Sequence, residues 1–246
     1  MGPTVTERVA AVLGTFDAGH GALTLSEIAR RTGLPLTTTH RLTGELARQG
    51  LLERDDEHRY RIGLRLWEIA TTAARAVDLR DTAFPVLQDL YTATRENVQL
   101  AVLDDVQAVY LERLSGPDSV HVVTRVGSRL PVHATGVGLV LLAHAPIELQ
   151  DEVLAAPLAR FTRYTITDVR RLRRMLADVR RDGYVISDRQ IETISVSVGA
   201  PVRDRAGRVV AAVSLVAAAG RGDPRRFVKA VVAAGAAISH RLPVMA

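Results

Sequence analysis

Apolar residues recur at helical spacing in three short segments at the start of the chain. Val5, Val9, Val12, Leu13 and Phe16 form one stripe, which predicts a helix over residues 5–17 ended by Gly19 and Gly21. Thr24 and Glu27 have the spacing of a capping box, so a second helix starts there, with Ile28 and Ala29 inward and Gly33 as its stop. Pro35 suits the first turn of a third helix, where its missing amide costs nothing. On that helix Thr39, Leu42 and Leu46 make the buried side, leaving Thr37, Thr38, Arg41, Glu45 and Arg48 outward. The segment "LLERDDEHRYRIG" (51–63) then alternates around a polar turn, which predicts a hairpin.

From Leu64 to Val77 the chain has no glycine or proline. Its apolar stripe, with Trp67 as the one tryptophan, is too broad for a free linker and predicts a helix that needs a partner. That partner is either the helix's own domain or a second chain. Residues 81–95 predict a further amphipathic helix, kinked or started at Pro85. Beyond Glu96 the period shortens. "VQLAVLDDVQAVYLERL" predicts two strands around the "DD" turn, and "SVHVVTRV" a third. Helices are expected in "TGVGLVLLAHA", between Pro146 and Pro157, and in "TDVRRLRRMLADVRRDG", with Val169, Leu172, Leu176 and Val179 inward. "YVISD", "SVSVGAPVRD" and "RVVAAVSLVAA" read as strands, and residues 224–242 as a closing helix. The pattern is α+β.

Composition narrows the chemistry. There is no cysteine, which removes disulfides, thiolate metal sites and cysteine nucleophiles. The longest apolar candidate, residues 209–220, is too short to span a membrane, and no charged-then-apolar leader opens the chain, so a cytoplasmic protein without membrane contact is expected. The net charge of +5 is nearly all arginine, Lys229 being the sole lysine. Residues 1–63 hold eight arginines and eight acids, so any DNA contact there rests on placement rather than bulk charge. Seven arginines between 163 and 181 fall on the polar side of one amphipathic helix and read as a solvated face. No G-x-S-x-G elbow is present, "GVG" is too short for a phosphate fingerprint, and His121, His133 and His144 lack metal-ligand spacing. Neither an enzyme nor a cofactor is implied.

Two helices joined by a tight glycine turn, followed by a hairpin wing, form a winged helix-turn-helix whose second helix docks in the major groove. Arginine can bridge guanine, threonine can meet bases or phosphate, and Arg59 and Arg61 are placed for backbone phosphate. The DNA-binding candidates are Thr37, Thr38, Arg41, Arg48 and Arg59. The acids Asp55, Asp56 and Glu57 at the hairpin tip would stay clear of the duplex.

The stretch "LTLSEIARRTGLPLTTTHRLTGELARQGLLE" resembles the winged helix of the isocitrate lyase regulator (IclR) family of bacterial transcription factors, and the resemblance covers nearly the whole chain. It implies a DNA-binding domain over 1–63, a connecting helix over 64–80 that pairs chains into a homodimer, and a GAF-like effector domain over 81–246 with a central antiparallel sheet. A homotetramer, as a dimer of dimers, is compatible. "GSRLPVHATGVGLVLLA" and "DGYVISDRQIETISVSVGAPVRDRAGRVVAAVSLV" are similar to the family's two effector-pocket signatures. The resemblance implies that Val122, Leu130, Gly136, Val137, Ser187, Ser195, Ser197 and Ser214 bind the effector. Alternation alone leaves open whether Ser195 and Ser197 face a pocket or water. Two departures stand out: Leu139 replaces a common lysine, and Arg189 and Gln190 replace an acidic pair, so the loop turns toward positive charge and Arg189 becomes a candidate counter-charge.

The expected function is transcription regulation: binding of double-stranded operator DNA, modulated by a small organic acid whose carboxylate meets the amides at Gly136. The alternative is a small-molecule sensor or enzyme domain whose winged helix makes protein contacts, in which Arg41 would have no specific use.

Overall fold

Caps and glycines place the first three helices. The computed structural model describes residues 2–17 and 19–242, and the chain divides into two compact units, Met1–Val77 and Asp78–Ala246. In the first unit α1 (Val5–Leu13) starts at a Thr4–Glu7 capping box that the apolar stripe did not reveal. It ends at Gly14, earlier than the spacing predicts, because the Thr15 hydroxyl donates to the Val12 carbonyl at 2.7 Å and turns the chain. Phe16 still packs on the core from outside the helix, while Val5 is exposed. Helix α2 (Leu25–Thr32) has the expected box, with Glu27 accepting from the Thr24 amide at 2.8 Å. Gly33 closes it at φ +67°, a backbone state that glycine reaches without strain. Helix α3 (Leu36–Arg48) follows Pro35, with Thr39, Leu42, Thr43 and Leu46 buried.

Strands β1 (Leu52–Arg54) and β2 (Tyr60–Ile62) pair antiparallel as the wing, and Tyr60 also exchanges both backbone hydrogen bonds with Leu23. The acids of the wing turn are not all at a free tip. Asp55 accepts from the amides of Arg59 (2.8 Å) and Glu57 (3.1 Å) and from the Arg59 and Arg61 guanidinium groups (3.2 and 2.8 Å). The Arg59 amide, helped by the Arg61 side chain, holds its carboxyl down to about 2.

A single connector helix over 64–77 does not form. Helix α4 (Leu64–Thr71) stops where the Thr71 and Thr72 hydroxyls both donate to carbonyls three residues back, at 2.7 Å. Such bonds offer the backbone a partner other than the next turn. Helix α5 (Ala74–Thr94) instead joins the end of the connector to the helix expected over 81–95 and runs through Pro85.

The second unit is a six-stranded antiparallel sheet in the order β5-β4-β3-β8-β7-β6: β3 (Asn97–Asp104), β4 (Gln107–Leu114), β5 (Arg129–Pro131), β6 (Val185–Asp188), β7 (Ser195–Arg203) and β8 (Val209–Ala218). One face is covered by α5 and by α9 (Val228–Arg241), which follows a 3₁₀ turn over Pro224–Phe227. The other is covered by α6 (Gly136–Ala143), with α7 (Ile147–Ala155) and α8 (Val169–Asp182) packed in the same core. All eight residues of α6 are buried, so this helix has no polar side. On α8, Leu172, Leu176 and Val179 are buried, each such side chain contributing about 1.5–3 kcal/mol. The seven arginines at 163–181 are exposed, but Arg180 also donates to the Ala143 carbonyl at 2.9 Å and caps the end of α6.

The strand expected at "SVHVVTRV" is absent. Residues 115–126 instead cross the sheet as an irregular strap, and the third strand is β5. The strap is held by side chains: Asn97 Nδ2 donates to Val120 O (2.9 Å), Gln99 Nε2 to Thr124 Oγ1 (2.6 Å), Arg113 Nη1 to Thr124 O (2.8 Å), and the Val123 amide donates to Glu192 Oε1 (3.1 Å). Strand β4 carries a bulge at Leu111, where Leu100 pairs with Glu112 but Ala101 pairs with Tyr110. The extra residue reverses the facing of the strand. Tyr110 and Arg113 therefore lie toward the strap and α6, while Glu112 turns to α5 and accepts from Arg80 Nε at 2.8 Å.

The bonded Asp55 makes the wing acid-sensitive. Its carboxyl titrates near 2 when folded and near 3.8 when unfolded, so it favours the folded hairpin at neutral pH and loses that advantage as pH falls through about 2. Asp55→Asn is expected to lower the melting temperature at about pH 7, with a deficit that shrinks as pH drops from about 5 towards 2. Equal deficits at both ends of that range, in thermal melts followed by circular dichroism, would refute this.

Candidate functional site

Two surfaces carry the candidate residues. On α3, Thr37 and Arg41 are exposed and Thr38 is half-buried at the flank of the face. The neighbouring threonines serve the helix itself. Thr39 Oγ1 donates to Pro35 O at 3.1 Å and Thr43 Oγ1 to Thr39 O at 3.0 Å, inside the helix packing. Arg41 has no ion-pair or hydrogen-bond partner among the described residues, so its guanidinium is free for a ligand. Arg48 is tied to Glu45 at 3.1 Å, and Arg59 to Asp55 and Glu57 at 3.2 and 2.8 Å. Leu36 and His40 share the exposed face of α3 and were not singled out by the sequence, which marked the buried stripe more sharply than its complement.

The second surface is a small, partly open cleft in the sheet unit. Its floor is one rung of the sheet, in which Ser187 pairs with Ser197, Ser197 with Val216, and Val216 with Asn97. Val196 and Val198 face the opposite core with α5 and α9, so the alternation resolves with the serines toward α6 and the cleft rather than toward water. The start of α6 forms one wall. Thr135 caps it by accepting from the Gly138 amide at 3.1 Å, while the amides of Gly136 and Val137 have no hydrogen-bond partner among the described residues. A side chain at Gly136 would place its first carbon 2.3 Å from Ser197 Oγ and 3.0 Å from Ser197 Cβ, so anything larger than glycine forces that serine to move.

Five of the eight expected effector residues line this cleft: Val122, Gly136, Ser187, Ser195 and Ser197. Three do not. Leu130 and Val137 pack into the core with α6, and Ser214 lies on the neighbouring rung between Gly199 and Gln99, donating to Gln99 Oε1 at 3.3 Å. The hydroxyls of Ser187, Ser195 and Ser197 have no side-chain hydrogen bond among the described residues and remain available.

Other lining residues escaped the sequence reading: Gln99, Tyr110, Thr124, Gln190 and Glu192. Gln99 had a signal, since a lone amide within the apolar run "VQLAV" must find a polar partner when buried. Burial pushes the Tyr110 phenol well above its ordinary range, so it stays a protonated donor. Arg189 does not supply a counter-charge to the cleft. It stacks over the Tyr164 ring at 5.4 Å and pairs with Asp188 at 3.5 Å. The charge that does line the cleft is negative. Burial raises the Glu192 carboxyl, opposed by the Val123 amide and Arg113.

His133 and His144 are structural. His133 Nε2 lies 2.9 Å from the Ala159 carbonyl, and His144 Nδ1 2.9 Å from that of Val140. No set of three acids or histidines among the described residues could hold a metal ion, and no helix among them is long and apolar enough to cross a membrane.

Comparison with known proteins covers both units of the chain. Residues 5–56 match the family profile of the IclR helix-turn-helix domain, and residues 71–240 that of the bacterial transcriptional regulator IclR C-terminal domain. The chain is 31% identical to the HTH-type transcriptional regulator XynR of Escherichia coli K12, over 96% of each protein. It is also 31% identical to the HTH-type transcriptional regulator KipR of Bacillus subtilis, over 79% of this chain and 78% of that one. Among solved structures, an IclR homologue from Microbacterium hydrocarbonoxydans complexed with 4-hydroxybenzoate matches at 40% identity and a TM-score of 0.91, over 96% of this chain and 97% of that one. Between them the two profiles span both units, and the chain belongs to the IclR family of bacterial DNA-binding transcriptional regulators.

Proposed function

We propose that this regulator reads an operator through α3 and responds to a small organic acid bound in the sheet cleft. The observation that carries the reading is the cleft's donor set: two free amides at the start of a helix and three serine hydroxyls without a side-chain partner, around one small floor. Free amides at a helix start favour an anion. Val122, Ile191 and Val216 supply apolar walls, so the acid is partly hydrocarbon. The 4-hydroxybenzoate bound to the Microbacterium homologue supports an aromatic acid of that size. Leu130 and Val137 support the walls from behind, and Ser214 orients Gln99.

On the DNA side, Arg41 contacts base edges, with Thr37 and Thr38 at bases or phosphate. Arg48 and Arg59 take phosphate by exchanging Glu45 and Glu57. Those two ion pairs are solvent-exposed, and such pairs are worth only about 0–1 kcal/mol, so phosphate can displace them while Asp55 keeps its hold on Arg59 Nε. Helix α4 leaves Leu64, Trp67 and Ile69 exposed at 61, 64 and 52%, and a second copy would cover them. The chain then acts as a homodimer on an inverted repeat, with a dimer of dimers as the larger assembly. Its place of action is the cytoplasm, where the DNA is, and its role is regulatory rather than enzymatic.

Arg41→Ala is expected to cost about 1–3 kcal/mol on a duplex selected by the parent protein. Arg48→Ala should weaken all duplexes evenly and flatten the salt dependence by about one unit of slope. Fluorescence anisotropy at several salt concentrations measures both, and an Arg41→Ala protein as tight as the parent would remove α3 from the major groove. Trp67→Glu should convert the dimer to monomer in light scattering, and an unchanged mass would show that α4 does not pair chains. For the cleft, 4-hydroxybenzoate at a hundredfold excess over its dissociation constant should stabilise the protein by about 2.7 kcal/mol. Replacing both Ser195 and Ser197 with valine should abolish that shift, and a shift that survived would place the ligand elsewhere.

A further inference from the structure

The cleft is not uniformly suited to acids. Glu192 is the one acid among its lining residues, and none of them is a cation. One carboxylate oxygen, Oε1, accepts the Val123 amide of the strap at 3.1 Å, while Oε2 has no partner among the described residues. The cation behind it, Arg113, is already engaged: its guanidinium donates to Asn97 Oδ1 at 3.3 and 3.0 Å and to Thr124 O at 2.8 Å. The free amides at Gly136 and Val137 have two of the cleft's hydroxyl groups beside them. Ser197 Oγ lies against Gly136, with Ser187 beside it, at the start of α6.

An anionic ligand therefore has one favourable orientation. Its carboxylate goes to the Gly136 and Val137 amides and Ser197, because against the half-buried Glu192 it would meet a like charge. The group left facing Glu192 must then be a hydrogen-bond donor, since a carboxylate is an acceptor only.

We infer that Glu192 selects the effector: it accepts a hydroxyl from the ligand, so the effector is a hydroxy acid, and plain acids and dicarboxylates of the same size are rejected. This rests on the reading of the cleft as the acid site. Glu192 is half-buried with one oxygen already bonded, so the unpaired oxygen favours a donor from the ligand. The same contact braces the strap, because Oε1 holds Val123 while Oε2 holds the ligand.

Two matched triads test it by titration calorimetry on the full chain: 4-hydroxybenzoate, benzoate and terephthalate, and 4-hydroxybutyrate, butyrate and succinate. In the triad that fits, the parent protein should bind the hydroxy acid about 10-fold to 100-fold tighter than the plain acid, the span expected of a hydrogen bond to a charged group, with the dicarboxylate weakest. Glu192→Gln keeps an oxygen for Val123 but removes the charge, so it should fold with an unchanged melting temperature and admit the dicarboxylate. Glu192→Leu should abolish the preference for the hydroxy acid. A parent protein that binds plain and hydroxy acids equally, or variants that keep the parent's preference, would overturn the role of Glu192 while leaving the acid site standing. If none of the six acids binds the parent, the acid-site reading fails and this inference fails with it.

Discussion

The sensor unit depends on one close approach, that of α6 to β7. Gly199 faces the Gly136 carbonyl so closely that a side-chain carbon there would lie 3.1 Å from its oxygen. Gly136 in turn leaves room only for the Ser197 hydroxyl. Two glycines thus let a wholly apolar helix rest on the sheet backbone. Because the helix starts there, the next rung of the floor is left uncovered and becomes the cleft. A bulkier residue at either position would lift the helix and fill or distort the space beside it.

Around that contact, polar groups divide into those spent on architecture and those left free. Thr39 and Thr43 satisfy carbonyls of their own helix, while Thr37 stands outside. Asp55 gathers two amides and two guanidinium groups, which fixes the wing turn and neutralises most of the charge there. The net result on the first unit is an almost neutral surface with one unengaged arginine on α3. Recognition concentrated in few groups favours discrimination between sequences over general attraction to DNA.

Much of this architecture is legible in the sequence. Capping residues, glycine stops and apolar period mark the helices of the first unit, and the arginine-rich α8 reads correctly because its apolar side repeats without a gap. The five lining residues come from the family resemblance, Val122 from outside its two signatures, since alternation cannot tell a cleft from solvent when both faces of a sheet are covered. What escapes depends on contacts distant in sequence. The strap looks like a strand because its valines are spaced like one, yet its hydrogen bonds go to side chains 11 to 69 residues away. The bulge at Leu111 leaves no local mark but decides which way Tyr110, Glu112 and Arg113 point. The break after Thr71 depends on two hydroxyls that could equally have faced solvent. Glu192 lies just beyond Arg189 and Gln190, whose altered charge is the more conspicuous feature of that loop.

The manner of attachment of the strap also bears on how such a protein diverges. A strand edge is tied to its neighbour through every second residue, so an insertion there disrupts the register of the whole sheet. The strap contributes Val122 and Thr124 to the cleft while its ties to the sheet run through a few side chains. It can lengthen, shorten or change composition without unzipping the scaffold beneath it. On the proposed reading of the cleft, a lineage can thus exchange one effector for another by rewriting a single short crossing segment, with the DNA-binding unit inherited unchanged.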